Sequence, residues 1–310
     1  FNAVPLYPEM TAQVSEDKLK LQVKLTPRSG GIGKLSLFVN GKEVVEDANA
    51  QRAQSVGIDL AAFASYYLPG ESNKLALRVY NEAGWLKSSA LELDYRPPAT
   101  ARGSQSGAPD MVSLSEPKPA LYAVVVGTAD YAGDKLDLQF ADRDASYFSQ
   151  ALRSAAPKVF GEEVFLTLLN TDANDKTRQD ASTKTTIKKA FADVAAKAQA
   201  QDVLVVYLSG HGVTHGPAEQ AQFYYLTKDI AGENLSDPEI RKNYAISSAE
   251  LTEWIKAIPA LKQVMVIDAC NSGKIVEDLA VRKDLSSSQI RALDRMKDRT
   301  GMFILTGSAA

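Results

Sequence analysis

Cysteine is almost missing from this sequence: Cys270 is the single one in 310 residues. That excludes an internal disulfide framework and any zinc site built from several cysteines. Histidine is nearly as rare, with His211 and His215 alone, which disfavours a multi-histidine metal centre. Neither sign of charge dominates, since 35 Lys and Arg stand against 38 Asp and Glu for a net charge of −3. No basic field is present to make nucleic acid or an anionic membrane the main partner. No apolar run approaches the roughly 18 residues that a bilayer span needs. The chain opens on Phe1 rather than Met and shows no signal-peptide pattern, as a processed or excised chain would, and its compartment is left open. What is there is ordinary. Apolar residues make up 45% and charged residues 24%, the balance of a folded protein, and the length suffices for two domains with a core each.

Residues 1–96 read as an all-β unit. Apolar residues alternate in Leu19, Leu21, Val23, Leu25, in Leu35, Leu37, Val39, in Leu75, Leu77, Val79, and in Leu91, Leu93, Tyr95. A period of two marks strands with one face on a core. Gly30-Gly31, Asn40-Gly41 and the stretch from Asn81 to Gly84 supply turns between the runs, and Asn-Gly is the strongest hairpin signal among them. The expectation is a β-sandwich, immunoglobulin-like in its spacing. It holds no Cys or His and its carboxylates are scattered, so it reads as a spacer or as a docking module for a protein partner. Residues 97–119 are crowded with Pro97, Pro98, Gly103, Ser104, Ser106, Gly107, Pro109, Pro117 and Pro119, the composition of a linker.

From residue 120 to 310 the pattern turns α/β. The run from Ala120 to Gly127 is continuously apolar, as in a strand covered on both faces. Helices are expected over about 141–153, 183–199, 247–258 and 287–298. Strands are expected near 163–169, 203–208, 264–267 and 302–306. Strands alternating with helices predict a mostly parallel sheet flanked by helices, with its ligands beyond the carboxyl ends of the strands.

Two of those strands run into reactive side chains. Ser209-Gly210-His211-Gly212 follows one and Asp268-Ala269-Cys270-Asn271-Ser272-Gly273 follows the other. In a parallel sheet both ends lie on one edge, so His211 and Cys270 become candidate neighbours. A thiol beside an imidazole is the minimum for a cysteine nucleophile, with the thiolate attacking a carbonyl and the imidazolium protonating the leaving group. The backbone N–H groups of Gly212 and Cys270 are the candidate oxyanion donors. The plainer alternative makes Cys270 an inert buried cysteine. His215, four residues further into a loop, competes with His211 for the role of base.

These motifs, with Tyr122-Ala-Val-Val-Val-Gly127 before them, resemble the caspase-like cysteine peptidases, in particular the metacaspase and bacterial orthocaspase branch. The resemblance covers roughly 120–310, and it implies a His211–Cys270 dyad with Gly212 and Cys270 as oxyanion donors. Residues Gly31 to Gly41 are more weakly similar to a β-rich segment preceding such domains in some large bacterial proteins.

Asp268 lies two residues before Cys270, so on a strand it points to the nucleophile's side, where it would pair with a substrate Lys or Arg. The resemblance implies the same: the family's matching Asp lines a pocket for basic side chains, aided by an Asp in an Asn-Asp-Ala element. Here that element reads Arg143-Asp144-Ala145, which makes Asp144 the second candidate. As plainer alternatives, Asp144 is an acid well placed at a helix N-terminus, and Asp268 a carboxylate taking backbone N–H bonds. Asp229, Glu233, Asp237 and Glu239, interleaved with Lys228 and Arg241, are too few for a strong calcium cage, so no metal or other cofactor is expected. Residues Val281 to Ser288 are expected as an exposed loop in which Arg282 and Lys283 offer a self-cleavage site. The expected function is an endopeptidase acting on protein or peptide substrates after Arg or Lys, with no nucleic-acid or membrane partner. A protease of different preference, and a catalytically silent member that binds partners, are the rival readings.

Overall fold

The structure is a computed structural model that describes residues 4–98, 118–171, 181–217, 220–232, 235–269 and 285–307. The chain divides into two compact units, Phe1–Pro117 and Lys118–Ala310.

The first unit contains strands β1 (Glu9–Val14), β2 (Lys20–Thr26), β3 (Leu35–Val39), β4 (Lys42–Val45), β5 (Ser55–Asp59), β6 (Asn73–Val79) and β7 (Leu91–Tyr95). They form two antiparallel sheets, ordered β1-β2-β5 and β4-β3-β6-β7. Alternation does what it should: along β2, Leu21, Val23 and Leu25 are buried while Lys20, Gln22, Lys24 and Thr26 are exposed. Those three leucine and valine side chains share one core cluster with Leu35, Leu37 and Val39 of β3 and Leu75, Leu77 and Val79 of β6. The unit is thus a sandwich. Burial of each such side chain contributes about 1.5–3 kcal/mol. Leu19 departs from the expected run. It precedes β2 and is 43% exposed, its N–H bonded to Asp17 Oδ1 in the turn that leads into the strand. Asn40 and Gly41 take φ of +49° and +86° and join β3 to β4 as the hairpin turn, with Val39 opposite Lys42.

The second unit runs β8 (Leu121–Gly127), α1 (Ala141–Ala155), α2 (Pro157–Phe160), β9 (Val164–Asn170), α3 (Lys184–Ala195), β10 (Val203–Ser209), β11 (Gly212–His215), β12 (Gln222–Leu226), α4 (Pro238–Tyr244), β13 (Ala245–Ser247), α5 (Ser248–Lys256), β14 (Lys262–Asp268), α6 (Leu285–Thr300) and β15 (Phe303–Thr306). Five strands form one parallel sheet in the order β15-β14-β10-β8-β9. β8 lies near its middle and every residue of it is buried, as the continuous apolar run requires. On one face Ala123, Val125 and Tyr207 pack against Ala145, Phe148 and Leu152 of α1. On the other, Val124, Val126, Val206, Leu208 and Met265 meet α3, α5 and α6 through Ile187, Phe191, Leu251, Ile255 and Met296. Capping boxes at Thr183 and Ser247 start α3 and α5 sharply, each worth about 1 kcal/mol.

α6 begins at Leu285, so Leu285–Ser288, expected as loop, is helical, and Ser288 is 8% exposed. The remaining part of that expected loop, with Arg282 and Lys283, lies outside the described residues. β11, β12 and β13 form a small antiparallel sheet of their own between the two motif-bearing strands. Among the described residues no helix is long and apolar enough to cross a membrane.

Candidate active site

The parallel register sets the site. Ser209 stands level with Gly127 on one side and Asp268 on the other, and Gly127 stands level with Asn170. The carboxyl ends of four strands therefore share an edge, where open α/β sheets hold their ligands. Gly127 lets α1 begin directly above that edge. A Cβ there would lie 2.6 Å from both Ala141 O and Ala145 Cβ, so no larger residue fits. The close approach carries Asp144, in the first turn of α1, to the strand ends.

The chain leaves β10 through Gly210, whose φ is +149° and whose Cβ would lie 3.0 Å from the hydroxyls of Tyr131 and Tyr225. His211 follows, 4% exposed and fixed from several sides. Its backbone N–H donates to Tyr131 Oη at 2.9 Å, and its C=O accepts from Leu226 N–H at 3.0 Å. The rings of Tyr131 and His211 lie 5.1 Å apart and tilted by 32°. Nε2 is 2.7 Å from the Leu136 carbonyl oxygen. A carbonyl accepts and does not donate, so Nε2 carries the proton of the neutral ring and Nδ1 is the basic nitrogen. Burial pushes the imidazole below its usual pKa, with the Leu136 carbonyl pulling it back up.

His211 shares a cleft of about 180 Å³ with Asp144, Asp268, Ser209 and Phe140. The two candidate carboxylates are thus brought together beside the candidate base. Their proximity registers electrostatically: the Asp144 carboxyl is pushed above its usual pKa by burial first and by Asp268 second, against an opposing pull from Arg143. Asp268 accepts from the Tyr207 hydroxyl at Oδ2, 3.2 Å away. A Cβ at Gly307 would come within 3.2 Å of Asp268 Oδ1, so the small residue after β15 leaves room for this carboxylate.

Cys270 lies outside the described residues, but the residue before it does not. Ala269 is 3% exposed, and its Cβ would stand 3.1 Å from a Cβ on Gly212. The segment entering Cys270 therefore packs against the residue following His211. Gly212 is glycine for a steric reason as well, because its Cβ would lie 2.5 Å from the Phe223 ring. His215 is placed differently from expectation. It belongs to strand β11 rather than a loop, half-buried opposite Gln222 and edge-on to Tyr224 at 6.5 Å, and it does not line the cleft. Burial and Arg241 lower its pKa.

Of the acids between the two motifs, Asp237 caps α4 by accepting from Glu239 N–H at 2.8 Å, and Glu239 pairs with Lys242 at 3.9 Å. Glu233 lies outside the described residues. Among those described, no group of three or more His, Cys, Asp or Glu could hold a metal ion. Sequence reasoning missed Tyr131, Leu136 and Tyr207. Leu136 acts through a backbone carbonyl, which no residue type announces, Tyr207 sits in an apolar strand that reads as core, and Tyr131 stands in a polar stretch between Asp130 and Asp134 that carries no motif.

A family model described as metacaspase, peptidase C14 domain, matches residues 122–279. No curated protein matches the chain. Among solved structures, protein GSU0716 from Geobacter sulfurreducens is similar at 16% identity and a TM-score of 0.37, over 58% of this chain and 64% of that one. The spore cortex lytic enzyme SleM of Clostridium perfringens is similar at 21% identity and a TM-score of 0.22, over 29% of this chain and 28% of its own. A mutant of the PilB minor pilin from Streptococcus sanguinis is similar at 10% identity and a TM-score of 0.34, over 89% and 84%. Likenesses this slight carry no argument about activity.

Proposed function

The chain belongs to the metacaspase peptidase C14 family, the caspase-like cysteine peptidases, and from that premise we propose that it is an endopeptidase cutting after Arg or Lys through a His211–Cys270 dyad. His211 Nδ1 takes the proton of the Cys270 thiol, and the thiolate attacks the scissile carbonyl carbon. The N–H groups of Gly212 and Cys270 receive the oxyanion. As the tetrahedral intermediate collapses, the C–N bond breaks and the imidazolium gives its proton to the leaving amine. Water, deprotonated by His211, then hydrolyses the thioester and the thiol is restored.

One observation carries the specificity. Asp144 and Asp268 share the cleft beside His211, and two carboxylates in a small, partly desolvated space are complementary to a guanidinium or ammonium group. A P1 aspartate would instead meet like charge. Calcium is not required in this proposal, because Asp237 and Glu239 are engaged in capping and pairing around α4. Self-processing after Arg282 or Lys283 is part of the same proposal, since a pocket that accepts basic side chains accepts these. The β-sandwich is assigned to docking a protein partner.

A fluorogenic peptide panel varying only P1 tests this. Wild type should cleave Arg and Lys peptides, with a chelator present or absent, and Cys270→Ala or His211→Ala should abolish turnover. Asp268→Asn leaves a substrate cation facing one carboxylate instead of two. It should lower kcat/KM for Arg peptides by about a hundredfold or more, the scale of breaking a desolvated charge pair. Equal cleavage after Arg and after Asp by wild type would overturn the acidic-pocket assignment.

A further inference from the structure

Tyr207 lies two residues before Ser209 on β10, facing α1, and is 6% exposed. Its ring stacks on Phe148 with centroids 4.3 Å apart and planes 15° from parallel. Phe148 is four residues after Asp144 on α1, so both lie on the helix face turned to the sheet. The Tyr207 hydroxyl then reaches Asp268 Oδ2 at 3.2 Å, on the neighbouring strand. One side chain thus ties the helix that bears Asp144 to the strand end that bears Asp268. A core position that needed only a ring would be filled by phenylalanine, and a buried hydroxyl is costly unless bonded.

We infer that Tyr207 is a positioning residue for the cleft, its hydroxyl fixing the Asp268 carboxylate at a set separation from Asp144. This assignment rests on the cleft being the P1 pocket. The direction of the bond is unambiguous, because a carboxylate accepts and the phenol donates. Burial and the nearby Asp268 raise the phenol to about 12, so it stays a donor across the working pH range. Without that donor, mutual repulsion would let Asp268 turn away from Asp144. The loss should be selective. A guanidinium is a rigid planar fork that needs both carboxylates at a fixed spacing, whereas an ammonium is a compact charge that tolerates displacement.

The test uses the full chain carrying Tyr207→Phe, which keeps the ring on Phe148, and paired peptides differing only in Arg or Lys at P1. KM for the Arg peptide should rise about tenfold, the scale of one hydrogen bond to a charged group, with kcat nearly unchanged and KM for the Lys peptide moving less than about threefold. Benzamidine binding to Cys270→Ala, followed by calorimetry with and without Tyr207→Phe, should weaken by the same factor and is independent of turnover. Equal changes for Arg and Lys, or no change in either, would overturn the inference and leave Tyr207 a core residue. If Tyr207→Phe fails to fold, Phe148→Leu, which frees the ring but keeps the hydroxyl, must lower the Arg-to-Lys preference, and an unaltered preference overturns it. Should wild type neither prefer basic P1 residues nor bind benzamidine, the pocket assignment itself fails, a result seen before any Tyr207 variant is compared.

Discussion

His211 must exchange a proton while 4% exposed, and the two demands oppose each other. Burial disfavours the imidazolium and lowers the pKa, while the Leu136 carbonyl at Nε2 favours it and limits the fall. In the unfolded chain the same group titrates near its ordinary value of about 6.5. Between that value and the lower folded one, the unfolded state binds more protons. This contribution to stability is therefore whole above about 6.5 and is lost as pH falls through the window toward the folded pKa. NMR of the two histidine rings should show His211 titrating below 6.5, and His211→Gln should flatten the acid side of the melting profile. A His211 titration above 6.5 would mean that a charge partner outweighs burial. His215 shifts in the same direction, by burial and Arg241, so its own variant has to be compared. At this scale the sequence pointed to His211 and Asp268 because each is a chemistry-bearing residue beside a predicted strand end, and to Asp144 only through its match to the family's Asn-Asp-Ala element. Leu136 and Tyr131 were hidden. Their parts are played by a carbonyl and by a hydroxyl that lie 75 and 80 residues before His211 in the sequence.

The elements that were easiest to read are those whose pattern is set by burial alone. β8 is buried throughout, β2 and β6 alternate, and α3 and α5 carry apolar stripes between capping residues. The small sheet of β11, β12 and β13 escaped because its strands span Gly212–His215, Gln222–Leu226 and Ala245–Ser247, too short for a period to register. β1, β4 and β5 escaped because polar residues and Gly57 dilute their alternation. Yet that small sheet is what holds the His211 segment down, since Leu226 N–H bonds His211 O and Phe223 fills the space beside Gly212. Gly212→Ala forces a methyl to within 2.5 Å of a ring that is 0% exposed. Overpacking of this kind costs about 1–3 kcal/mol, and thermal melting should show it as a drop of several degrees. Combining Gly212→Ala with Phe223→Leu should cost less than the two changes summed. Additive costs would show that the ring moves aside freely and that the glycine serves another purpose.

On the scale of the chain, each core cluster among the described residues is built within one unit. The cluster around Leu37 and Leu77 draws on residues 7–95, and the other clusters draw on residues 120–304. The cleft residues all come from the second unit, through β10, β14 and α1 with the loop before it. A fragment of residues 118–310 therefore contains every described group that orients His211, Asp144 and Asp268, together with the sheet that aligns them. Its apolar interior is built on one open five-stranded sheet with helices on both faces, so it should unfold in a single cooperative step. It should also keep the full chain's kcat/KM for short basic peptides to within about threefold, since no group proposed to touch such a peptide has been removed. Protein substrates are the informative contrast: if the sandwich docks a partner, the fragment should lose activity on that protein while keeping it on peptides. Loss of the cooperative melt, or of peptide turnover in a fragment that still melts cooperatively, would mean that the first unit contributes to the site itself.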